Sequence, residues 1–173
     1  SILRYLHFAD NNIEEGGKLR KIEPIVKNLR KKFEKAVIPW ENLCIDESLM
    51  LWKGRLSFKQ YIPSKRNRFG VKLFMLCDCY TKFVLNFIVY TGTETDIDNH
   101  PEVGIPGSVV LTLLKNYLKK NHTLFIDNWF SSPTLFERLL EEKTKACGTV
   151  RKNRSGMPSF GKLSKGQQAY QTT

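Results

Sequence analysis

Apolar residues recur along this chain with two different periods, and the switch between them divides it. Leu19, Ile22, Val26, Leu29 and Phe33 follow one another at three and four residues, the spacing of one stripe on an α-helix. The spacing predicts a helix over residues 17–36. Lys18, Arg20, Lys21, Lys27, Arg30, Lys31, Lys32 and Lys35 cover its other faces, and Pro39 closes it. That basic face would suit phosphates, but it reads more simply as a solvated surface. From Asn42 the period becomes two. In Leu43-Cys44-Ile45-Asp46-Glu47-Ser48-Leu49-Met50-Leu51 alternate residues point to opposite sides of a strand. Asp46 therefore shares a face with Cys44 and Met50, and Glu47 lies opposite.

Two further apolar runs, residues 71–79 and 83–90, are rich in Val, Ile, Leu and Phe. Asp78-Cys79-Tyr80-Thr81-Lys82 can turn the chain between them, so they predict an antiparallel hairpin. A loop of about fifteen residues follows, with Gly92, Pro101, Gly104 and Pro106. Val109, Val110, Leu113, Leu114, Tyr117 and Leu118 then form a second helical stripe, with Ser108 as its expected N-cap. Thr123-Leu124-Phe125-Ile126 is short and apolar, as buried central strands are, and ends in Asp127. Ser132-Pro133 opens a third helix bearing Leu135, Phe136, Leu139 and Leu140, and residues 146–150 predict one more strand. Three antiparallel strands followed by helix-linked parallel strands is the ribonuclease H-like order, so the pattern predicts an α/β fold with a mixed sheet. The division expected is a helical lead-in over residues 1–40, a core over 41–158 and an irregular tail or start of an insertion over 159–173.

Composition narrows the function. The 173 residues suffice for one domain with a core, and 41% hydrophobic content excludes a disordered tail. With 28 Lys and Arg against 17 Asp and Glu the net charge is +11, and the clustering of the surplus points to a polyanion such as nucleic acid. The four cysteines are too few and scattered for a disulfide scaffold. Cys77 and Cys79 would share a strand face as two zinc ligands do, but no second Cys/His pair has finger spacing. No apolar stretch approaches a membrane span, and the expected setting is soluble and intracellular.

The chemistry rests on Asp46 and Asp127. A carboxylate within an apolar strand is costly unless something compensates it, and a bound cation is one such compensation. In a ribonuclease H-like sheet the two strands are neighbours, so the two carboxylates converge on one edge. Phosphoryl transfer asks for metal ions that hold the attacking and leaving oxygens in line, and magnesium takes one or two carboxylates while keeping most of its waters. Two simpler readings stand beside this: Asp127 ends a strand and orients a turn, and Asp46 pairs with a Lys or Arg.

Several segments resemble the core signature of piggyBac-type transposases: Cys44-Ile45-Asp46-Glu47-Ser48-Leu49, Lys53-Gly54-Arg55-Leu56-Ser57-Phe58, Tyr61-Ile62-Pro63-Ser64-Lys65-Arg66 and Gly70-Val71-Lys72. Phe125-Ile126-Asp127-Asn128-Trp129-Phe130-Ser131-Ser132 and Cys147-Gly148-Thr149-Val150-Arg151-Lys152-Asn153-Arg154 complete the series, and the likeness runs from Lys18 to Pro158. The resemblance implies a nuclear cut-and-paste DNA transposase with a ribonuclease H-like catalytic core built on three aspartates. Asp46 matches the first and Asp127 the second, both as catalytic metal ligands. The family's third follows a Gly-Gly-Val-Asp segment that this sequence lacks, and residues 143–173 hold no acid at all. The expectation is a partial catalytic domain, incomplete at its carboxyl-terminal side, that binds Mg²⁺ or Mn²⁺ only weakly. Its partners would be transposon ends and target DNA, with a homodimer in the full-length parent and no membrane.

The basic clusters fit that picture. Lys53, Arg55, Lys65, Arg66, Arg68 and Lys72 occur with no acid between Glu47 and Asp78, and Arg151, Lys152 and Arg154 follow the last strand. They are the expected phosphate contacts, with a plain basic surface as the other reading. Trp129 and Phe130 suit either base stacking or core packing. Two rival functions remain open: a degenerate or domesticated remnant that binds nucleic acid without cutting it, and a general ribonuclease or resolvase of the same fold.

Overall fold

The computed structural model describes residues 5–10, 12, 16–63, 66 and 68–159. Its first helix, α1 (Glu23–Ala36), is shorter than the apolar stripe. Residues 17–22 form turns instead, with Arg20 N–H donating to the Gly17 carbonyl at 2.9 Å and Ile22 N–H to that of Leu19 at 2.8 Å. Pro24 explains the start: without an N–H it cannot bond back to the Arg20 carbonyl and continue a helix from residue 17, yet it suits a helix's first turn. Phe33 sets its ring against Phe83 and Phe87, with centroids 5.8 and 6.0 Å apart, and Arg30 Nε donates to Asn86 Oδ1 at 2.9 Å. These contacts dock α1 on strand β4.

Six strands form one sheet: β1 (Asn42–Leu51), β2 (Gln60–Tyr61), β3 (Phe69–Asp78), β4 (Val84–Val89), β5 (Thr123–Ile126) and β6 (Lys145–Gly148). Across the sheet the order is β4–β3–β1–β5–β6, with the short β2 extending the β4 edge. β1 and β3 pair antiparallel from Leu43↔Asp78 to Leu51↔Gly70, and β3 pairs antiparallel with β4. β5 runs parallel to β1 from Asn42↔Thr123 to Ile45↔Ile126, and β6 runs parallel to β5. The expected mixed sheet is therefore present, with β2 as an addition that two residues were too short to announce.

Asp78 makes the hairpin turn. Its fully buried carboxylate accepts hydrogen bonds from Thr81 N–H (2.8 Å), Thr81 Oγ1 (2.6 Å) and Trp40 N–H (3.2 Å). Burial alone would raise its pKa, but the bonds from Thr81, Trp40 and Tyr80 outweigh burial and hold it below the ordinary value.

The main core lies on one face, where Leu43, Ile45, Phe74, Leu76, Leu124 and Ile126 meet α2 (Gly104–Leu114) and α3 (Pro133–Glu141). Every residue of α2 from Gly107 to Leu114 is buried, as befits a helix apolar on all sides. Truncating one such leucine to alanine would cost about 2–5 kcal/mol. Ser108 is not the N-cap expected; α2 begins one turn earlier. The Ser108 hydroxyl instead accepts from His100 N–H at 3.0 Å and lies 3.2 Å from the His100 carbonyl, tying the preceding loop to the helix. Pro106 is tolerated in that first turn because amides there have no partner within the helix. α3 begins as expected, with Ser132 Oγ accepting from Leu135 N–H at 3.2 Å and proline at the first turn. On the opposite face a smaller cluster of Phe58, Val71 and Val89 packs with Leu19 and Phe87. From β1 to β6 that face is open among the described residues: Phe125 is 40% exposed and Cys147 is exposed. Residues 160–173 of the expected tail lie outside the described residues.

Candidate functional site

The parallel register decides the site. Ile45 lies opposite Ile126, so the next residue of each strand, Asp46 and Asp127, stand side by side where β5 ends. Alternation puts both on the open face, with Cys44 and Phe125, and both side chains are exposed. The Oδ1 of Asp46 accepts the Glu47 amide at 2.7 Å, and the Oδ1 of Asp127 accepts the Trp129 amide at 2.9 Å. The second oxygen of each carboxylate has no protein partner among the described residues. No Lys or Arg described here pairs with Asp46, so an ion pair does not account for it. Asp127 does orient its turn, and it keeps one oxygen spare while doing so.

The turn after Asp127 is gripped on two sides. Trp129 stacks on Phe74, with centroids 5.3 Å apart and planes 14° from parallel, and meets Phe130 edge-on at 4.8 Å. Phe130 is fully within the core. Both rings are thus packing elements in this fold. From the other side Arg154 Nη2 donates to the carbonyls of Trp129 (2.7 Å) and Asn128 (3.3 Å), and Arg151 Nε donates to Asn128 Oδ1 at 3.3 Å. Ser131 Oγ adds a 2.8 Å bond to the Asp127 carbonyl. Gly148, beside this turn, must be glycine: a Cβ there would fall 2.2 Å from the Ile126 carbonyl oxygen.

The expected phosphate contacts divide into two groups. Lys53, Arg55, Arg66 and Arg68 are exposed on the segment joining β1 to β3, and Arg151 and Lys152 are exposed beyond β6. At about 3.3 Å per residue, the far end of β1 carries the first group well past Asp46. Lys65 lies outside the described residues. Lys72 is placed differently: it projects from the face opposite Asp46, 16% exposed, with its Nζ 2.6 Å from Glu47 Oε2. The same ammonium lies over the rings of Phe74, Trp129 and Tyr90 at 4.9, 5.1 and 5.6 Å. These residues help line a cavity of about 650 Å³ that also reaches Ile97, Ile105 and Val109. Neither the Glu47–Lys72 pair nor the Arg154 clasp was visible in the sequence; the run of motif residues around them was the available signal.

Two hard oxygen donors on adjacent strands, each with an oxygen to spare, suit a divalent cation such as magnesium or manganese. Asp46 and Asp127 would hold it, and it would supply charge neutralisation for phosphoryl oxygens. No group of three His, Cys, Asp or Glu side chains among the described residues is arranged to hold a metal. Cys77 and Cys79 share a face as expected, with Cys44 across from Cys77, and no cluster of metal-ligating side chains forms there among the described residues. The neighbouring Cys44 holds the Cys77 thiol below its ordinary pKa and Cys77 raises that of Cys44, while burial pushes Cys79 to about 11.

A β4–β3–β1–β5–β6 mixed sheet with α2 and α3 packed on one face, α1 on β4 and carboxylates at the β1–β5 junction is a ribonuclease H-like domain. Residues 1–172 match the family described as Transposase IS4, and the chain belongs to that family, in its piggyBac branch. Human PiggyBac transposable element-derived protein 3 is 31% identical over 158 residues, 88% of this chain and 26% of its own length. The human chimeric ERCC6-PGBD3 protein is 31% identical over 88% of this chain and 15% of its own. Human PiggyBac transposable element-derived protein 2 is 26% identical over 89% of this chain and 26% of its own. The motifs by themselves most resemble piggyBac transposable element-derived protein 4, a finer placement that these relatives leave untested. A cryo-EM structure of the piggyBac transposase synaptic complex with hairpin DNA superposes with a TM-score of 0.81 at 31% identity, covering 91% of this chain and 34% of that one. The chain thus spans about a third or less of each relative.

Proposed function

We propose that this chain forms part of the catalytic domain of a nuclear, piggyBac-like cut-and-paste DNA transposase. Asp46 and Asp127 are two of its metal ligands, for Mg²⁺ or Mn²⁺, and the parent reaction is metal-dependent DNA strand cleavage and transfer. The observation that carries this reading is the parallel register that sets the two carboxylates side by side, exposed and each with a spare oxygen. The partners are transposon ends and target DNA, contacted through Lys53, Arg55, Arg66, Arg68, Arg151 and Lys152, with the full-length parent acting as a homodimer. The complex with hairpin DNA formed by the similar piggyBac transposase supports DNA as the ligand.

Calorimetric titration with Mn²⁺ tests the site. Weak binding that disappears in both Asp46→Ala and Asp127→Ala is expected; titrations that do not differ between these variants and the unaltered chain would remove the metal role.

A second reading is a domain that binds nucleic acid without cutting it. It is favoured by the count of two carboxylates at the site among the described residues. The full reading frame separates the two, because a downstream Gly-Gly-Val-Asp segment would restore the third ligand. Cleavage of RNA–DNA hybrids without action on transposon-end hairpins would instead favour a general ribonuclease.

A further inference from the structure

Three of the four cysteines meet on the open face beside Asp46. Cys44 in β1 lies directly opposite Cys77 in β3, and the row continues through Phe125 and Cys147. Cys44 and Cys77 are thus cross-strand neighbours with Cys79 two residues further on, and all three residues are half-buried rather than sealed in the core. Thiols that face each other across two strands and remain open to small molecules have a chemistry beyond packing.

We propose that Cys44 and Cys77 form an oxidation site, a reversible cross-strand disulfide made by peroxide or a small disulfide two residues before Asp46. The register selects the pair. Cys79 N–H donates to the Asn42 carbonyl at 2.9 Å, and Trp52 N–H to that of Phe69 at 3.4 Å. Even-numbered residues of β1 are therefore the hydrogen-bonded ones, Cys44–Cys77 included, which sets their Cα atoms about 5.5 Å apart. That falls within the span of a disulfide, roughly 4.4–6.8 Å. The diagonal pair Cys44–Cys79 is about 7–8 Å apart and out of range. Cys77 and Cys79 stand at about 6.6 Å along one strand, at the limit, with side chains pointing the same way.

The same geometry makes the bond labile. Cβ atoms of a hydrogen-bonded pair stand toward the far end of about 4.5–5.5 Å, whereas a relaxed disulfide wants about 3.5–4.5 Å. A bridge here must draw β1 and β3 together, and strained bridges are the readily reduced ones. With hydrogen peroxide, one sulfur attacks an oxygen, the O–O bond breaks, and water leaves a sulfenic acid behind. The second sulfur then displaces that hydroxyl as a second water, so two thiols and one peroxide give one disulfide and two waters. A dithiol returns both electrons and restores the pair.

The test treats the intact folded chain with hydrogen peroxide, blocks remaining thiols with N-ethylmaleimide, and digests it with trypsin. Cys44 falls in the peptide of residues 36–53, and Cys77 and Cys79 fall in that of residues 73–82. The expected product is these two peptides linked, with Cys79 carrying one maleimide label, at a mass about 2 Da below the sum of the two peptides and that label, and separated again by dithiothreitol. The link should persist in Cys79→Ser and in Cys147→Ser and vanish in Cys77→Ser. It should form faster in the folded chain than in urea. Persistence of the link in Cys77→Ser, equal rates in urea, or peroxide consumption without any link would each overturn the proposal.

Discussion

Lys72 and Glu47 form an ion pair of 2.6 Å on the sheet face that Asp46 does not share. The Lys72 ammonium also lies over three aromatic rings, one of them Trp129 in the turn that carries Asp127. Lys72 thus joins β1, β3 and the Asp127 turn from behind the site. Lys72→Ala should destabilise the domain by about 1–3 kcal/mol, combining a partly buried ion pair with ammonium–ring contacts. Urea unfolding of Lys72→Ala, Glu47→Gln and the double variant checks this. Additive losses would show that the pair is not coupled, and undiminished stability in Lys72→Ala would return that side chain to a simple phosphate contact.

Asp46 and Asp127 present two like charges side by side without an ion pair among the described residues. Replacing either with Asn should leave stability within about 0.5 kcal/mol or raise it slightly in metal-free buffer, since Asn can keep the Asp127 turn bond. Thermal melts with and without Mn²⁺ read this directly. The unaltered chain should gain stability with Mn²⁺, and the Asn variants should not.

Gly148 is where β6 comes closest to the end of β5. In Gly148→Ala the new methyl meets backbone rather than a flexible side chain, so relief requires the strands to part. A loss of about 2 kcal/mol or more is expected. Amide exchange should quicken first in β6 and the Asp127 turn.

Asp78 gives the fold a pH dependence. Its folded pKa lies below the ordinary value of about 3.9, so its contribution is fully present above pH 4 and is lost as pH falls through the depressed value. Asp78→Asn should flatten the acid limb of stability against pH. It should also cost about 1–3 kcal/mol at neutral pH, because the Asp78 turn loses charged acceptors. Acid titration followed by circular dichroism distinguishes the two chains.

Arg154 donates to two carbonyls of the Asp127 turn, whereas Lys152 is exposed. Arg154→Ala should lower stability by about 1–3 kcal/mol, and Lys152→Ala should leave it unchanged while weakening DNA binding in a salt-dependent way. A filter-binding series at rising salt, run beside the melts, checks both halves.

Much of the fold was legible because strands, turns and caps are local. The change of period at Asn42, the Ser132-Pro133 start of α3 and the short apolar run before Asp127 each declare an element within a few residues. The starts of α1 and α2 depart from the sequence pattern for equally local reasons. An apolar stripe says which residues face a core, not where hydrogen bonding starts, and Ser108 spends its hydroxyl on His100 instead of on a helix amide.

Sequence by itself determined the order of elements, the alternation that sets Asp46 apart from Glu47, the glycine at position 148 and the motifs that name the family. Tertiary structure alone decided which residues meet. Register is fixed by pairing between strands distant in sequence, and a slip of one residue would send every side chain to the other face. The pairing placed Asp46 beside Asp127, Cys44 across from Cys77, and Lys72 against Glu47 and Trp129 instead of in solvent. Each of those meetings depends on long-range packing, which no window of the sequence contains.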